Sequence, residues 1–180
     1  MMLFGSYKIN EPVKKNASLH LGFSNGYVNF SISSVKLIGE PLDELYDWSA
    51  DIMSDEWDRD KAIAKLKAKP KTMICDALLD QKIFAGLGNI IKNEALFRAR
   101  LHPESIIGQI PDDKLKELIN EVISFGQDFL KWRKVNQLTR HLQAHEKNIC
   151  PRNLIPFRKA DTGKTKRHSY FCEKCQELFD

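Results

Sequence analysis

Cys172-Glu173-Lys174-Cys175 places two thiols three positions apart, a spacing that lets one tight turn present both to a single tetrahedral metal. A zinc ribbon needs a second such pair some 15–20 residues upstream. That position holds Cys150-Pro151-Arg152-Asn153, with eighteen residues between Asn153 and Cys172. The second ligand position is therefore Asn153, whose neutral, hard amide oxygen is a poor zinc ligand. Three thiolates remain, Cys150, Cys172 and Cys175, with His145 or water to complete a zinc site. His168 is a worse candidate, because four extended residues separate it from Cys172 by roughly 13 Å. Cys75 falls far away on an apolar stretch. The competing reading is a metal-free hairpin held by Leu154, Ile155, Phe157, Tyr170 and Phe171.

A second constellation is Gly86-Leu87-Gly88-Asn89, followed by Ile90-Ile91-Lys92-Asn93-Glu94-Ala95-Leu96-Phe97. Two glycines allow a sharp turn and a close approach of backbone to ligand. Asn89 is placed to cap the helix that follows. The N–H groups of such a helix start form an anion site that a nucleic-acid phosphate fills. A plain structural turn between helices fits the same residues. The third constellation is cationic: Arg158, Lys159, Lys164, Lys166 and Arg167 lie between the two cysteine pairs. A hairpin with these five near its tip suits phosphate contact, and an exposed lysine-rich loop is the bland alternative.

The elements that must position these groups follow from periodicity. Ser18-Leu19-His20-Leu21-Gly22-Phe23 and Tyr27-Val28-Asn29-Phe30-Ser31-Ile32 alternate with period two around Asn25-Gly26, a hairpin signal. Leu3 to Ile9 and Val35 to Ile38 are expected flanking strands. Past Gly39-Glu40-Pro41 helical spacing takes over. Helices are expected over Lys61–Ala68, ending near Pro70, over Thr72–Asp80, as an amphipathic helix from Asn89 to Arg98, and from Pro111-Asp112-Asp113 to about Phe129. The tail from Cys150 reads as two short strands about Gly163. The expected class is α+β. Residues 1–39 would be part of an antiparallel β-sandwich, 40–146 a helical domain, and 147–180 a zinc-ribbon-like hairpin.

Composition sets the outer bounds. The 180 residues carry 42% hydrophobic and 29% charged side chains, which excludes wholesale disorder, and four cysteines are too few for a disulfide scaffold. No apolar run is long enough to span a membrane, so a reduced, cytoplasmic monomer is expected. The net charge of +4 is unevenly spread. Residues 40–60 hold nine acids against Arg59, whereas 131–180 hold twelve bases against five acids. A basic end beside an acidic stretch points to a polyanionic partner.

Taken in order, these residues resemble a family. Leu78-Leu79-Asp80-Gln81, Gly86-Leu87-Gly88-Asn89-Ile90, Asn93-Glu94-Ala95-Leu96-Phe97-Arg98 and His102-Pro103 resemble the helix–two-turn–helix domain of the formamidopyrimidine-DNA glycosylase / endonuclease VIII family. Arg167-His168-Ser169-Tyr170-Phe171-Cys172-Glu173-Lys174-Cys175-Gln176 resembles that family's zinc-ribbon hairpin. Leu3 to Asn10 looks like one of the last strands of its N-terminal β-sandwich.

The resemblance implies base-excision repair of damaged double-stranded DNA by a glycosylase with AP lyase activity. Asn89, beside Gly88, matches the turn Asn that holds phosphate next to the lesion. Arg167, beside Lys166, matches the hairpin Arg that clamps the phosphates flanking the flipped nucleotide. Met2, Leu3 and Phe4 match the loop that wedges into the stack, where an apolar side chain recovers part of the unstacking energy. For Leu3 and Phe4, plain sandwich core is the competing view. Family enzymes open with Pro-Glu, an amine nucleophile and its proton shuttle, assisted by a Lys from an early strand. This sequence opens Met1-Met2-Leu3, so the expectation is no catalytic residue among the 180. The chain would then be either the DNA-binding portion of such an enzyme or a non-catalytic binder of damaged or abasic DNA.

Overall fold

The computed structural model describes residues 5–13 and 17–180. Met2, Leu3 and Phe4 lie outside the described residues. The chain divides into two compact units, Met1–Leu45 and Tyr46–Asp180.

In the first unit β1 (Ser6–Ile9), β2 (Leu19–Phe23) and β3 (Gly26–Ser31) form an antiparallel sheet in the order β1-β3-β2. Phe23 pairs with Gly26, so the two-residue turn is Ser24-Asn25 and not Asn25-Gly26. The glycine is still required, because a Cβ there would run into the Asn10 side chain. No strand forms at the expected Val35–Ile38; that stretch is irregular, and Leu37 is 93% exposed. A short helix α1 (Leu42–Leu45) closes the unit.

The second unit is built around two helices. α5 (Asp112–Lys134) outlasts its expected end at Phe129, and its apolar stripe of Leu115, Leu118, Ile119, Val122 and Phe125 is buried. Asp112 and Asp113 sit in its first turn, where acids complement the helix dipole. Gly126 lets it approach Ile52, whose Cδ1 leaves no comfortable room for a Cβ. α4 (Asn89–Arg98) packs against α5 and is not amphipathic: Ile91 to Phe97 are all buried, including Lys92, Asn93 and Glu94. A helix wrapped on all sides must satisfy its polar side chains internally, and each of these three finds partners.

Around this pair lie α2 (Arg59–Lys67), capped by Asp58 through the Lys61 N–H, and the single turn α3 (Ile74–Ala77). α3 is much shorter than the Thr72–Asp80 expectation, since the chain turns again after Leu78 to reach the glycine turn. α6 (Leu138–His141) follows α5. Finally β4 (Arg158–Thr162) and β5 (Arg167–Phe171) form an antiparallel hairpin whose turn carries Gly163 at φ +65°.

Candidate nucleic-acid interface

The glycine turn is shaped by one side chain. Gln81 accepts the Gly86 N–H at 3.0 Å and donates to the Leu87 and Leu79 carbonyls. Gly86 sits at φ +81°, a conformation that favours glycine. Gly88, not Asn89, is the N-cap of α4, and no side chain caps it. Asn89 is the first helical residue, and its amide is directed elsewhere. Its Nδ2 donates to the His168 carbonyl at 3.0 Å, in β5, while its Oδ1 is buried without a hydrogen-bond partner.

That bond is one of three on the same carbonyl. Lys92 Nζ at 3.4 Å and Asn93 Nδ2 at 3.3 Å also donate to His168 O. Lys92 Nζ donates in addition to Ser169 Oγ at 2.8 Å, which shares a hydrogen bond with Thr162 Oγ1. Burial holds the Lys92 ammonium at a pKa of about 8; the nearby Asp76 works against that shift and Arg167 with it. Asp76 on α3 accepts the N–H groups of Lys164 and Thr165 and the Thr165 hydroxyl. The hairpin is thus bonded to α3 at its turn and to α4 along β5, and the glycine turn lies beside the start of β5, where Lys166 and Arg167 stand.

The five cations do not all gather at the tip. Lys164, Lys166 and Arg167 belong to the turn and the first residue of β5. Arg158 and Lys159 begin β4, at the base, where Arg158 pairs with Glu173 at 2.9 Å and Lys159 donates to Asn148 Oδ1 at 2.8 Å. The register explains this: Arg158 lies opposite Phe171, the last residue of β5.

At the base of the hairpin the thiols of Cys150, Cys172 and Cys175 come within 4.8 Å of one another. His145 is not among them. Its Nδ1 meets Asn93 Nδ2 at 3.0 Å, its ring packs edge-on against Tyr170, and burial lowers its pKa. Burial opposes ionisation of Cys172, yet the N–H groups of Lys174 and Cys175 and the neighbouring thiols keep its pKa below the usual thiol value. Burial and the hydrogen bond with Cys172 push Cys175 up to about 11. Phe97, Ala144 and Phe157 pack against Cys150 and Cys172, so the cluster has an apolar wall.

The loop that leads into this cluster is fixed by a residue that periodicity hides. Glu94, with a fully buried side chain, accepts the N–H groups of Gln143, Ala144 and His145 at 2.8–3.0 Å and faces Arg98 Nε at 3.7 Å. The sequence signal for both Lys92 and Glu94 is a charged residue inside a helix segment otherwise fit for burial.

The family model described as formamidopyrimidine-DNA glycosylase H2TH domain matches residues 49–138. The chain belongs to the formamidopyrimidine-DNA glycosylase / endonuclease VIII family. It is 31% identical to endonuclease 8-like 3 of Xenopus laevis over 96% of this chain and 30% of that protein. It is 36% identical to endonuclease 8-like 2 of Mus musculus over 71% of this chain and 39% of the relative. The chain therefore spans well under half the length of these relatives. Among solved structures, the Lactococcus lactis formamidopyrimidine-DNA glycosylase bound non-covalently to DNA with an abasic site superposes with a TM-score of 0.83, at 24% identity, over 97% of this chain and 71% of that one. A viral DNA glycosylase superposes at 0.80 over 98% of this chain. These superpositions establish a shared fold.

Proposed function

We propose that this chain is the docking part of a base-excision-repair protein, and that it grips damaged duplex DNA through the Gly86–Asn89 turn and the Lys164–Arg167 hairpin turn. The observation that carries the reading is the Asn89–His168 hydrogen bond. It sets a helix N-terminus, whose first N–H groups have no helical partner, beside a turn with three cations. Two phosphate-binding devices placed side by side can hold consecutive backbone phosphates. Similarity to structures described as complexes with abasic-site DNA supports the same reading. The family resemblance gives Met2, Leu3 and Phe4 the part of a wedge for the gap left by an extruded base; they lie outside the described residues.

The thiol cluster would hold zinc. A tetrahedral ion with Zn–S bonds near 2.3 Å sets sulfurs about 3.8 Å apart, and Cys150 Sγ and Cys175 Sγ stand 3.9 Å apart. Bound there, zinc would pin the base of the hairpin and so the direction of its turn; it supplies structure, not reaction chemistry.

The test is salt-dependent binding to a duplex with one abasic site. Removing a cation that touches a phosphate lowers the slope of log affinity against log salt by about one. Arg167→Ala and Lys166→Ala should each flatten the slope by about that amount. Lys159→Ala, at the base and engaged with Asn148, should leave it unchanged. Equal effects of all three, or no salt dependence, would sink the proposed interface.

A further inference from the structure

The two ends of the thiol cluster are turns that share one hydrogen bond, from the fifth residue back to the first carbonyl. In Cys172-Glu173-Lys174-Cys175 the N–H of the next residue, Gln176, donates back to the Cys172 carbonyl at 3.1 Å. In Cys150-Pro151-Arg152-Asn153 the N–H of Leu154 donates back to the Cys150 carbonyl at 2.9 Å. Each turn thereby presents its first and fourth side chains to the space between them. In one turn the fourth side chain is Cys175. In the other it is Asn153, and its oxygen points inward: Oδ1 lies 3.8 Å from Cys150 Sγ and 3.9 Å from Cys172 Sγ.

The geometry points to Asn153 Oδ1 as the fourth ligand of the metal held by Cys150, Cys172 and Cys175, a Cys3Asn site. The inference rests on the zinc reading above and goes beyond it in assigning the ligand that the sequence leaves open. For bonds of about 2.3 Å to sulfur and 2.1 Å to oxygen, tetrahedral angles put sulfur and oxygen about 3.6 Å apart. The observed separations exceed this by a few tenths of an ångström, which a metal would draw in. His145, the competing donor, is committed to Asn93 and Tyr170.

Charge favours a neutral fourth ligand here. Three thiolates and a divalent ion sum to one negative charge, and a fourth thiolate would add another beside an apolar wall. Arg152 offsets the single charge: its Nη1 lies 3.9 Å from Cys175 Sγ. The guanidinium is locked in place, donating to the Phe97 carbonyl at 2.7 Å and lying 4.1 Å over the Phe97 ring. The amide oxygen thus gives an ion-pair-neutral centre in a half-buried place, where uncompensated charge is costly.

The experiment titrates the full chain, stripped of metal, with Co2+ and Zn2+, and follows stoichiometry, affinity and the Co2+ absorption spectrum. The wild type should take up one ion with a spectrum of three sulfurs and one oxygen. Asn153→Ala should weaken binding by at least about tenfold, no less than losing an outer partner of a ligand usually does. Asn153→Cys should convert the spectrum to four sulfurs, with stronger charge-transfer absorption and d–d bands at lower energy. If Asn153→Ala fails to fold, relaxation of solvent water protons by the Co2+-loaded wild type keeps the test open: a bound water as fourth ligand would exchange and speed that relaxation, overturning Asn153 ligation, whereas an Asn oxygen leaves it at the level of the four-sulfur Asn153→Cys variant. Wild-type affinity in Asn153→Ala, or an unaltered spectrum in Asn153→Cys, would overturn Asn153 ligation while leaving the three-thiolate site standing. A wild type that binds no metal would overturn both, and Cys172→Ser serves as the reference for that outcome.

Discussion

The two units cover their apolar surface very differently. In the sheet unit the register puts Tyr7, Ile9, Leu19, Leu21, Phe23, Val28 and Phe30 on one face. Tyr7 is 67% exposed and Phe23 60%. The opposite face is polar, yet its Asn29 is buried, bonded to His20 Nδ1 at 2.7 Å and donating to the Glu11 carbonyl at 3.1 Å. The helical unit inverts this. Leu66, Leu78, Phe84, Phe97 and Leu118 are fully buried, and even its charged Lys92 and Glu94 are enclosed and bonded. A sheet is stable when its apolar face meets a second layer. The helical unit contains its layers; among the described residues of the sheet unit, no second layer covers the apolar face. Stability and site preorganisation should therefore both reside in residues 46–180.

The largest expected effect comes from removing a buried charge on which that unit depends. Glu94→Ala orphans three N–H groups in the loop ahead of Cys150 and should cost about 3–4 kcal/mol, several unsatisfied buried donors at once. Urea denaturation of residues 46–180 by themselves measures it. An effect below about 1 kcal/mol would mean that the loop is solvated and the unit less self-contained than its burial indicates. The same fragment must fold cooperatively before mutation for the contrast between units to stand.

How much of this was legible in the sequence depended on whether a pattern was local. The β2–β3 hairpin, α2 and the start of α5 are written in alternation, caps and dipole-matched acids, which act over a few residues. Spacing alone grouped Cys150 with Cys172 and Cys175, because each lies in a tight turn and the ends of the two turns meet. The failures are tertiary. Periodicity made α4 amphipathic, whereas its polar residues bond to segments some fifty to eighty residues away, to Gln143–His145 and to His168–Ser169. Asn89 reads locally as a cap, but Gly88 takes the cap position, and Asn89, one residue inside the helix, donates its Nδ2 to the His168 carbonyl instead. The five cations looked clustered until register separated base from turn. At Val35–Ile38 strand propensity was not enough: among the described residues that stretch pairs with no strand, and propensity without pairing makes no sheet.

A second, smaller effect tests the enclosure of Lys92 by pH. Its folded pKa of about 8 lies below the usual 10.5, so between these values the unfolded chain binds more protons than the folded one. Stability must then rise with pH across that window, by up to about 3 kcal/mol for a shift of this size. Below pH 8 both states carry the charge and the full desolvation cost remains. Comparing wild type with Lys92→Met isolates the contribution: the advantage of the variant over wild type should be larger near pH 7 than at pH 10, and its profile flatter. Parallel profiles would place water at Lys92 Nζ and weaken the picture of a dry joint between α4 and the hairpin.

The smallest effect belongs to the sheet unit, and it is the most direct way to break the contrast. Tyr7→Lys and Phe23→Lys place charges on the apolar face at positions more than half exposed. Substitutions at such sites shift stability by no more than about 0.5 kcal/mol, and added charge on an uncovered sheet face opposes edge and face association. Dilute samples should therefore unfold almost as the wild type does, while sedimentation at higher concentration should show less self-association. A loss of about 2 kcal/mol or more in dilute solution would instead mean that the face is covered, since a lysine is costly only where water has been excluded. Hydrogen exchange then tells the cases apart: the β1–β3 amides of an uncovered sheet exchange far sooner than those of α4 and α5, and equal protection would show the two units to be stabilised alike.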